Sequence, residues 1–281
     1  MNKIAILLCT YNSERFLREQ IDSLIAQTYQ DWELFIRDDQ STDQTLDIIQ
    51  DYCQQNHRFH FMNDTKKRGA RDGFMWLLKQ VEAEYYMFCD HDDVWLPEKI
   101  EVTMKLMQSQ SDNATSPLIA CCNLKLVDSQ LNVISDDYWT NRHYNNSQFN
   151  NKYYHLFYNN MPGCVMLINR QAKEASIPYP PDIIMHDAWI ASAVLWRGGR
   201  VVWTSRPLML YRQHGNNTIG TADRTLVQQF GIISKLLTKT KIQFHASRPL
   251  TNMSYLRFFI LKLYYLLQYH WTVTISKSIS L

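Results

Sequence analysis

The sequence lacks the marks of an exported protein. Its six cysteines include no Cys-x-x-Cys pair, and the opening run MNKIAILLCTYN carries too short an apolar stretch for an export signal. That run is more typical of a β-strand. We expect the cysteines to be small, buried hydrophobic side chains in a reducing compartment, and therefore expect a cytoplasmic protein.

Acidic residues are missing from the C-terminal part of the chain. None follows Asp223, whereas eight lysines and arginines lie within residues 224–281. The formal net charge of the whole chain is +2, which is too small to indicate a nucleic-acid partner. The sequence therefore predicts a basic, helical C-terminal extension over residues 223–281, and no nucleic acid.

Within this extension, residues 255–271 are apolar nearly all round, with Arg257 and Lys262 as interruptions. These charges argue against a membrane-spanning helix. Two interpretations stay open: a peripheral contact with the inner face of the cell membrane, or a helix packed on the rest of the protein.

Internal repeats and long linkers are also absent, so residues 1–222 are expected to form one domain. Apolar strands at 3–9 and 32–36 alternate with stretches of helical periodicity. This β-α-β-α order is typical of an α/β fold with a mostly parallel sheet flanked by helices. Further along the chain, residues 73–81 are predicted to form a helix and residues 201–203 a strand. Residues 136–158, rich in Asn and Tyr, predict a mobile loop over the edge of the sheet.

An acidic cluster follows one of the predicted strands. Asp90, Asp92 and Asp93 come directly after the apolar run at 85–88. In open α/β sheets ligands bind at the carboxyl ends of the strands, and clustered carboxylates there suit a hard divalent cation. One interpretation is a metal site; the other is an acidic cap on the helix that follows.

Four further polar residues have two interpretations each. Asp39 ends a strand and suits either a nucleotide ligand or a plain turn. Arg71 suits a phosphate or a solvated basic turn. Asp187 lies at the start of a predicted helix, where it suits either a general base that accepts a proton from a substrate hydroxyl or an N-terminal cap. His214 lies in a loop that suits either a surface histidine or a flap closing on a nucleotide.

Six motifs, in order, carry a resemblance to a known family: TYN at 10–12, DDQSTD at 38–43, FCDHDDVWLPEK at 88–99, MPGC at 161–164, HDAW at 186–189 and YRQHGNN at 211–217. Over roughly residues 1–218 the chain resembles glycosyltransferase family 2, the inverting enzymes with the GT-A fold. Within that family it looks most like bacterial rhamnosyltransferases. Six ordered motifs are far more specific than any one of them.

The resemblance implies a role for each matching position. The implied nucleotide-sugar contacts are Thr10, Tyr11, Asn12, Asp39, Arg71, Asp90 and His91. For the metal, Mg²⁺ or Mn²⁺, the direct ligand is Asp92, with Asp90 and His214 as further candidates, while Asp93 keeps the helix-capping role. Asp187 matches the catalytic base of the family, and His186 and Trp189 lie on the acceptor side.

The implied reaction moves a sugar from a nucleoside diphosphate to a hydroxyl of a cell-surface polysaccharide or lipid-linked glycan, with inversion. The implied donor is dTDP-L-rhamnose, with a UDP-hexose or UDP-N-acetylhexosamine as the alternative. Residues 1–110 would form the nucleotide-sugar half and residues 111–222 the acceptor half. A non-catalytic sugar-binding protein on the same fold is the rival, but the chain retains both Asp92 and Asp187.

Overall fold

The computed structural model describes residues 3–110, 115–214 and 232–279. The strands, in chain order, are β1 (Ile4–Thr10), β2 (Trp32–Asp38), β3 (Phe59–Phe61), β4 (Tyr85–Cys89), β5 (Val94–Trp95), β6 (Leu118–Val127), β7 (Val133–Ser135), β8 (Met166–Asn169) and β9 (Arg200–Arg212). The helices are α1 (Leu17–Ile25), α2 (Thr45–Gln55), α3 (Gly69–Gln80), α4 (Lys99–Gln108), α5 (Tyr138–Asn141), α6 (Arg170–Ser176), α7 (His186–Trp196), α8 (Ile232–Ser247) and α9 (Tyr255–Ile279). Short 3-10 turns lie at Asn146–Gln148, Tyr154–Leu156 and Gly163–Val165.

The strands form one mixed sheet in the order β3-β2-β1-β4-β8-β6-β9-β5, with β7 paired to β6. The first four neighbours, β3 to β4, run parallel, while β8 runs antiparallel to both β4 and β6. Strand β1 is buried along its whole length, as its continuous apolar sequence predicts for a strand covered on both faces. The predicted α/β sheet flanked by helices is confirmed.

The register of the parallel strands brings their carboxyl ends to one edge. Thr10 at the end of β1 pairs with Asp38 at the end of β2, and Leu8 pairs with Cys89 at the end of β4. The motifs that follow these three strands therefore meet at one edge of the sheet, as the sequence predicts.

Three local predictions differ from the structure. Helix α3 begins at Gly69 and not at residue 73, because the positive φ of Gly69 lets the chain turn directly into the helix. Strand β9, predicted as residues 201–203, spans thirteen residues because it pairs with both β6 and β5. Residues 136–158 are mostly irregular, but Trp139 and Phe149 are buried in the core, which argues against a mobile loop.

The C-terminal helices pack on the remainder of the protein. A second apolar cluster joins them to the turn at residues 154–157, through Tyr154, Leu156, Phe157, Phe244, Met253, Phe258 and Tyr265. Among the described residues, no helix is both long enough and apolar enough to cross a membrane. The predicted division at residue 222, and the flap residues after His214, lie outside the described part of the chain.

Candidate active site

The first motif at the sheet edge is held by a hydrogen-bond network between two strand ends. Thr10 Oγ1 donates to Asp38 Oδ1 at 2.8 Å, and Asn12 Oδ1 accepts from the amide of Thr42 at 2.9 Å. Asn12 takes the left-handed conformation, φ 46°, which asparagine tolerates better than most residues. Between them Tyr11 is 44% exposed, with the Lys67 ammonium 4.3 Å from its ring centroid.

Asp39 is buried and its carboxylate is held by three donors. It accepts hydrogen bonds from Arg37 Nη2 at 2.7 Å and from the amides of Arg68 and Gly69 at 2.7 and 3.0 Å. Burial alone would raise its pKa, but these hydrogen bonds outweigh burial and lower the pKa. Asp39 is therefore an ionised carboxylate in a fixed orientation.

The sequence interpretation missed Arg37, which holds this region together. Its guanidinium is fully buried and also donates from Nε to Asp64 at 2.9 Å and from Nη2 to the carbonyl of Lys66 at 2.6 Å. Hydrogen bonds from Arg68 and then from Arg37 lower the pKa of Asp64. A charged residue inside an otherwise apolar strand, directly before two aspartates, is the signal that could have identified Arg37.

Arg71 makes contacts other than the predicted phosphate. Its guanidinium donates to both Asp72 oxygens, at 2.9 and 2.7 Å, and from Nη1 to the carbonyl of Ile183 at 2.9 Å. These bonds tie α3 to the segment that precedes α7. The phosphate role stays a prediction, and it would require Arg71 to exchange partners.

The acidic cluster lies beyond the end of β4. Asp90, Asp93 and Cys164 each offer a possible ligand atom, all within 4.8 Å of one another. Burial, and after it the charges of Asp92 and Asp187, raise the pKa of the Asp90 carboxyl to about 7. Burial, and after it the charges of Asp92 and Asp90, raise the pKa of Asp93 well above its usual range. The cluster therefore favours a bound cation.

The structure corrects the predicted role of Asp93. Helix α4 begins after Glu98 with no side-chain cap, and Asp93 is instead buried, with Oδ1 accepting from the amide of Arg212 at 3.1 Å. Its Oδ2 has no hydrogen-bond partner within the described residues. The antiparallel pairing of β5 with β9 places Asp93 beside Arg212 and away from the start of α4.

Asp92 meets His214 across the sheet. His214 Nε2 lies 2.7 Å from Asp92 Oδ2, and the ring of His214 lies 5.1 Å from that of Phe16. The antiparallel pairing of Val94 with Leu210 explains this contact, since it brings the residues before β5 beside those after β9. Two of the three residues that the resemblance assigns to a metal are thus neighbours, although they lie 122 positions apart in the chain.

Two buried cations, also missed by the sequence interpretation, support the cluster. The guanidinium of Arg212 donates to the carbonyl of Asp92 at 2.7 Å and forms an ion pair with Glu19. Lys99, with no exposed surface, donates to the carbonyl of Cys164 at 2.6 Å and lies 3.4 Å from the ring centroid of Trp95. Both belong to recognised motifs, YRQH and LPEK, so the motifs contained the signal.

Asp187 lies in the first turn of α7, and two backbone amides hold its carboxylate. Oδ2 accepts from Gly163 at 3.1 Å and Oδ1 from Ala188 at 2.7 Å. Gly163 precedes Cys164 of the acidic cluster, and the Asp187 charge acts on the pKa of Asp90. The predicted base therefore lies beside the predicted metal ligands.

The structure buries two of the remaining predicted site residues and leaves the third partly exposed. His186 is buried against the rings of Phe74 and Phe88, at centroid distances of 4.4 and 5.3 Å, and burial lowers its pKa. Trp189 is also buried, and its Nε1 donates to the carbonyl of Ser176 at 2.8 Å. Both side chains pack α7 against the rest of the protein, and their roles in binding the acceptor stay predictions. His91 is partly exposed in the turn between β4 and β5.

The donor set fits the predicted metal. Carboxylates from the 90–93 turn and the imidazole of His214 are the oxygen and nitrogen ligands that Mg²⁺ and Mn²⁺ accept in proteins. Cys164 does not fit as a thiolate ligand, because burial and the neighbouring Asp93 raise the pKa of its thiol well above its usual range. Asp93 Oδ2 adds a buried oxygen atom that accepts no hydrogen bond from the described part of the chain.

Comparison with known proteins identifies the class. A family model described as glycosyl transferase family 2 matches residues 5–174. The chain belongs to glycosyltransferase family 2 and has its GT-A fold, and it is a glycosyltransferase that uses a nucleotide-sugar donor.

Individual relatives narrow the resemblance. The dTDP-rhamnosyl transferase RfbG of Shigella flexneri is 29% identical over 231 residues, which cover 76% of this chain and 73% of RfbG. The putative teichuronic acid biosynthesis glycosyltransferase TuaG of Bacillus subtilis is 30% identical over 108 residues, 38% of this chain and 43% of TuaG. The chain therefore resembles bacterial rhamnosyltransferases of the family, as the motifs indicated.

Solved structures show the same fold. S. aureus TarS 1-349 in complex with UDP-GlcNAc matches 94% of this chain and 71% of its own, with a TM-score of 0.61 and 19% identity. The same TarS fragment without ligand is matched over 60% of its length. The mannosyltransferase PcManGT of Pyrobaculum calidifontis, in complex with GDP-Man and Mn²⁺, matches with a TM-score of 0.58 and 15% identity, covering 76% of this chain and 58% of its own.

Proposed function

We propose that the protein transfers L-rhamnose from dTDP-rhamnose to a hydroxyl of a cell-surface polysaccharide or a lipid-linked glycan, with inversion. The observation that carries the reaction type is the position of Asp187, held by two amides beside the acidic cluster at the carboxyl edge of the sheet. The similarity to RfbG supports rhamnose as the donor sugar.

The nucleotide would bind along the ends of β1 and β2. The half-exposed ring of Tyr11 offers a stacking surface for the base, and Asn12 and Thr10 fix the loop around it. Asp39 Oδ2 accepts one hydrogen bond, from Gly69, and retains a lone pair for a base N–H or a ribose hydroxyl. Arg71 would exchange Asp72 for a phosphate oxygen.

The diphosphate would lie over the residue 90–93 turn, with His91 at its partly exposed rim. Asp92 would be the direct ligand of Mg²⁺ or Mn²⁺, joined by His214 and Asp90. When bound, the ion supplies positive charge that favours departure of the diphosphate. The Mn²⁺ in the complex of PcManGT, a neighbour in fold, supports this choice of ion.

Asp187 would accept the proton of the acceptor hydroxyl as that oxygen attacks the anomeric carbon. Attack from the face opposite the diphosphate inverts the anomeric centre in a single displacement, so one base is enough. The amides of Gly163 and Ala188 hold the carboxylate in place and leave its other lone pairs for the hydroxyl.

The test is turnover of a nucleotide-sugar panel by Asp187→Asn, measured as release of the nucleoside diphosphate in the presence of Mg²⁺ or Mn²⁺. General-base catalysis is worth about 10²–10⁴ in rate, so kcat should fall by at least about a hundredfold while the donor Kd changes little. The panel includes dTDP-rhamnose, UDP-glucose and UDP-GlcNAc. Unchanged kcat in Asp187→Asn would remove Asp187 as the base.

The acceptor would be reached from the inner face of the cell membrane. One face of α9 exposes large apolar side chains at helical spacing: Leu256, Ile260, Leu263, Tyr264 and Leu267. Lys241 of α8 and Arg257 of α9 are exposed, as is Arg248 directly after α8, and residues 232–279 contain no acidic residue. An apolar stripe with basic neighbours suits an anionic bilayer surface, so we propose a cytoplasmic enzyme in peripheral contact with the membrane.

Vesicle flotation tests this contact. The wild type should float with phosphatidylglycerol-containing vesicles more than with neutral ones, and replacing Leu256, Ile260 and Leu267 by serine should abolish flotation without changing turnover of the donor. Equal recovery of both proteins on anionic vesicles would contradict a membrane role for this face.

A further inference from the structure

A cavity of about 180 Å³ lies behind the proposed base, between the start of α7 and helix α8. Met185, Ala188 and Trp189 form one wall, Phe157 forms part of another, and Ala246 and Leu250 close it from the side of α8. No role for this cavity follows from the nucleotide-sugar site, because its walls share no residue with the motifs at the ends of β1, β2 and β4.

Several polar side chains of the lining are hydrogen-bonded to backbone carbonyls. Ser192 Oγ donates to the carbonyl of His155 at 2.9 Å, and Trp189 Nε1 donates to the carbonyl of Ser176. Gln243 donates to the carbonyl of Phe157 at 3.2 Å and accepts from Lys262 at 2.6 Å. The surface presented to a ligand is therefore mainly apolar, whereas a sugar subsite needs hydrogen-bonding groups directed at the ligand.

The residues that line the cavity are close in the chain to the proposed catalytic base, Asp187. Met185 and Ala188 flank His186 and Asp187 in the chain, and the wall segment at 155–159 leads within four residues to Gly163, whose amide holds the Asp187 carboxylate. The exposed Lys239 is one of the lining residues. A ligand in the cavity would thus have its apolar part beside α7 and could place an anionic group near Lys239.

We propose that this cavity binds a hydrocarbon segment of a lipid-linked acceptor, with the acceptor phosphate near Lys239. The inference rests on the proposed transfer to an acceptor hydroxyl and names the chemical class of that acceptor. An apolar cavity of about 150 Å³ is known to admit benzene, so 180 Å³ accommodates a short branched segment and not a whole lipid. The rest of the chain would leave toward the exposed face of α9.

Calorimetric titration with geranyl phosphate, in EDTA to leave the metal-dependent site unoccupied, tests the proposal. Geranyl phosphate should bind with a negative heat-capacity change, as burial of apolar surface requires, and inorganic phosphate should bind at least tenfold more weakly. Ala246→Phe, which fills the cavity, should weaken geranyl phosphate at least tenfold. Ala26→Phe, at the exposed end of α1, is the matched control and should bind as the wild type does.

A second variant guards against a folding defect. Leu250→Ala removes one wall and should weaken geranyl phosphate about fivefold or more, and thermal melts establish that each variant is folded. Wild-type affinity in a folded Ala246→Phe, or equal affinity for geranyl and inorganic phosphate, would overturn the proposal. Asp187→Asn should bind geranyl phosphate as the wild type does but lose sugar transfer. The binding assay therefore tests the cavity and the transfer assay tests the proposed reaction, and either proposal can fail without the other.

Discussion

Replacement of Arg37 by methionine should weaken both the fold and the nucleotide side of the site. The guanidinium is fully buried and donates to Asp39, Asp64 and the carbonyl of Lys66. Methionine fills much of the same volume but donates nothing, so the two carboxylates lose the cation between them.

The expected loss of unfolding free energy depends on the hydrogen bonds that Asp39 and Asp64 keep in Arg37→Met. Removing one partner of a buried ion pair costs about 3–5 kcal/mol, mostly from the charge left behind. Both carboxylates keep other donors, since Asp39 retains two backbone amides and Asp64 retains Arg68. We therefore expect the lower end, about 3 kcal/mol, which lowers the melting temperature by about 6–12 °C for a chain of this size.

The pH dependence gives a second readout. The hydrogen bonds hold the pKa values of Asp39 and Asp64 below their usual range, so their contribution to stability is present above the unfolded value of about 3.9 and is lost as pH falls through the folded values. The difference in unfolding free energy between wild type and Arg37→Met should be largest near pH 7 and shrink below about pH 4.

The assay is denaturant unfolding at a series of pH values, paired with nucleotide titration. Arg18→Met is the matched control, because its ion pair with Asp51 is exposed and should contribute less than about 1 kcal/mol. Nucleoside diphosphate should bind more weakly to Arg37→Met, since Asp39 loses its orientation. A loss below 1 kcal/mol that does not vary with pH would refute this account of the network.

Three further changes test other parts of the structure. Gly163→Ala should lower kcat about tenfold or more, since the added Cβ would lie 2.5 Å from His186 Nε2 and displace the amide that holds Asp187. Lys262→Met should abolish a rise in wild-type stability between pH 8 and 10.5, because burial lowers the pKa of Lys262 to about 8 and the charged form destabilises the fold below that pH. His214→Ala should weaken Mn²⁺ binding by about tenfold or more, measured from the electron paramagnetic resonance signal of free Mn²⁺.

The sequence predicted the features that depend on short-range patterns. Continuous apolar runs identified β1 and β4, and the parallel connections required their carboxyl ends to share an edge. The meeting of the Thr10 and Asp38 motifs followed from that rule alone, and the structure confirms it at 2.8 Å.

What the sequence did not predict depends on pairing between distant segments. The two-residue strand β5 is too short to be recognised by pattern, yet its pairing with β9 decides that Asp93 bonds Arg212 and does not cap α4. Buried cations were missed for a related reason: Arg37 and Lys99 look like surface residues until the carboxylates and carbonyls around them are known.

The charges around the acidic turn favour a cation as its ligand. Asp90, Asp92 and Asp93 bring three negative charges when ionised, and Lys99 is a buried cation that acts on Asp90 and Asp93. Arg212 is matched by its own ion pair with Glu19. Negative charge is therefore in excess around this turn, and the charge of Asp187 adds to it, so a bound divalent cation such as Mg²⁺ or Mn²⁺ would reduce the excess. Burial first, and after it the neighbouring negative charges, raise the pKa values of Asp90 and Asp93, so a divalent cation would favour the ionised forms of both carboxyls beside Asp187.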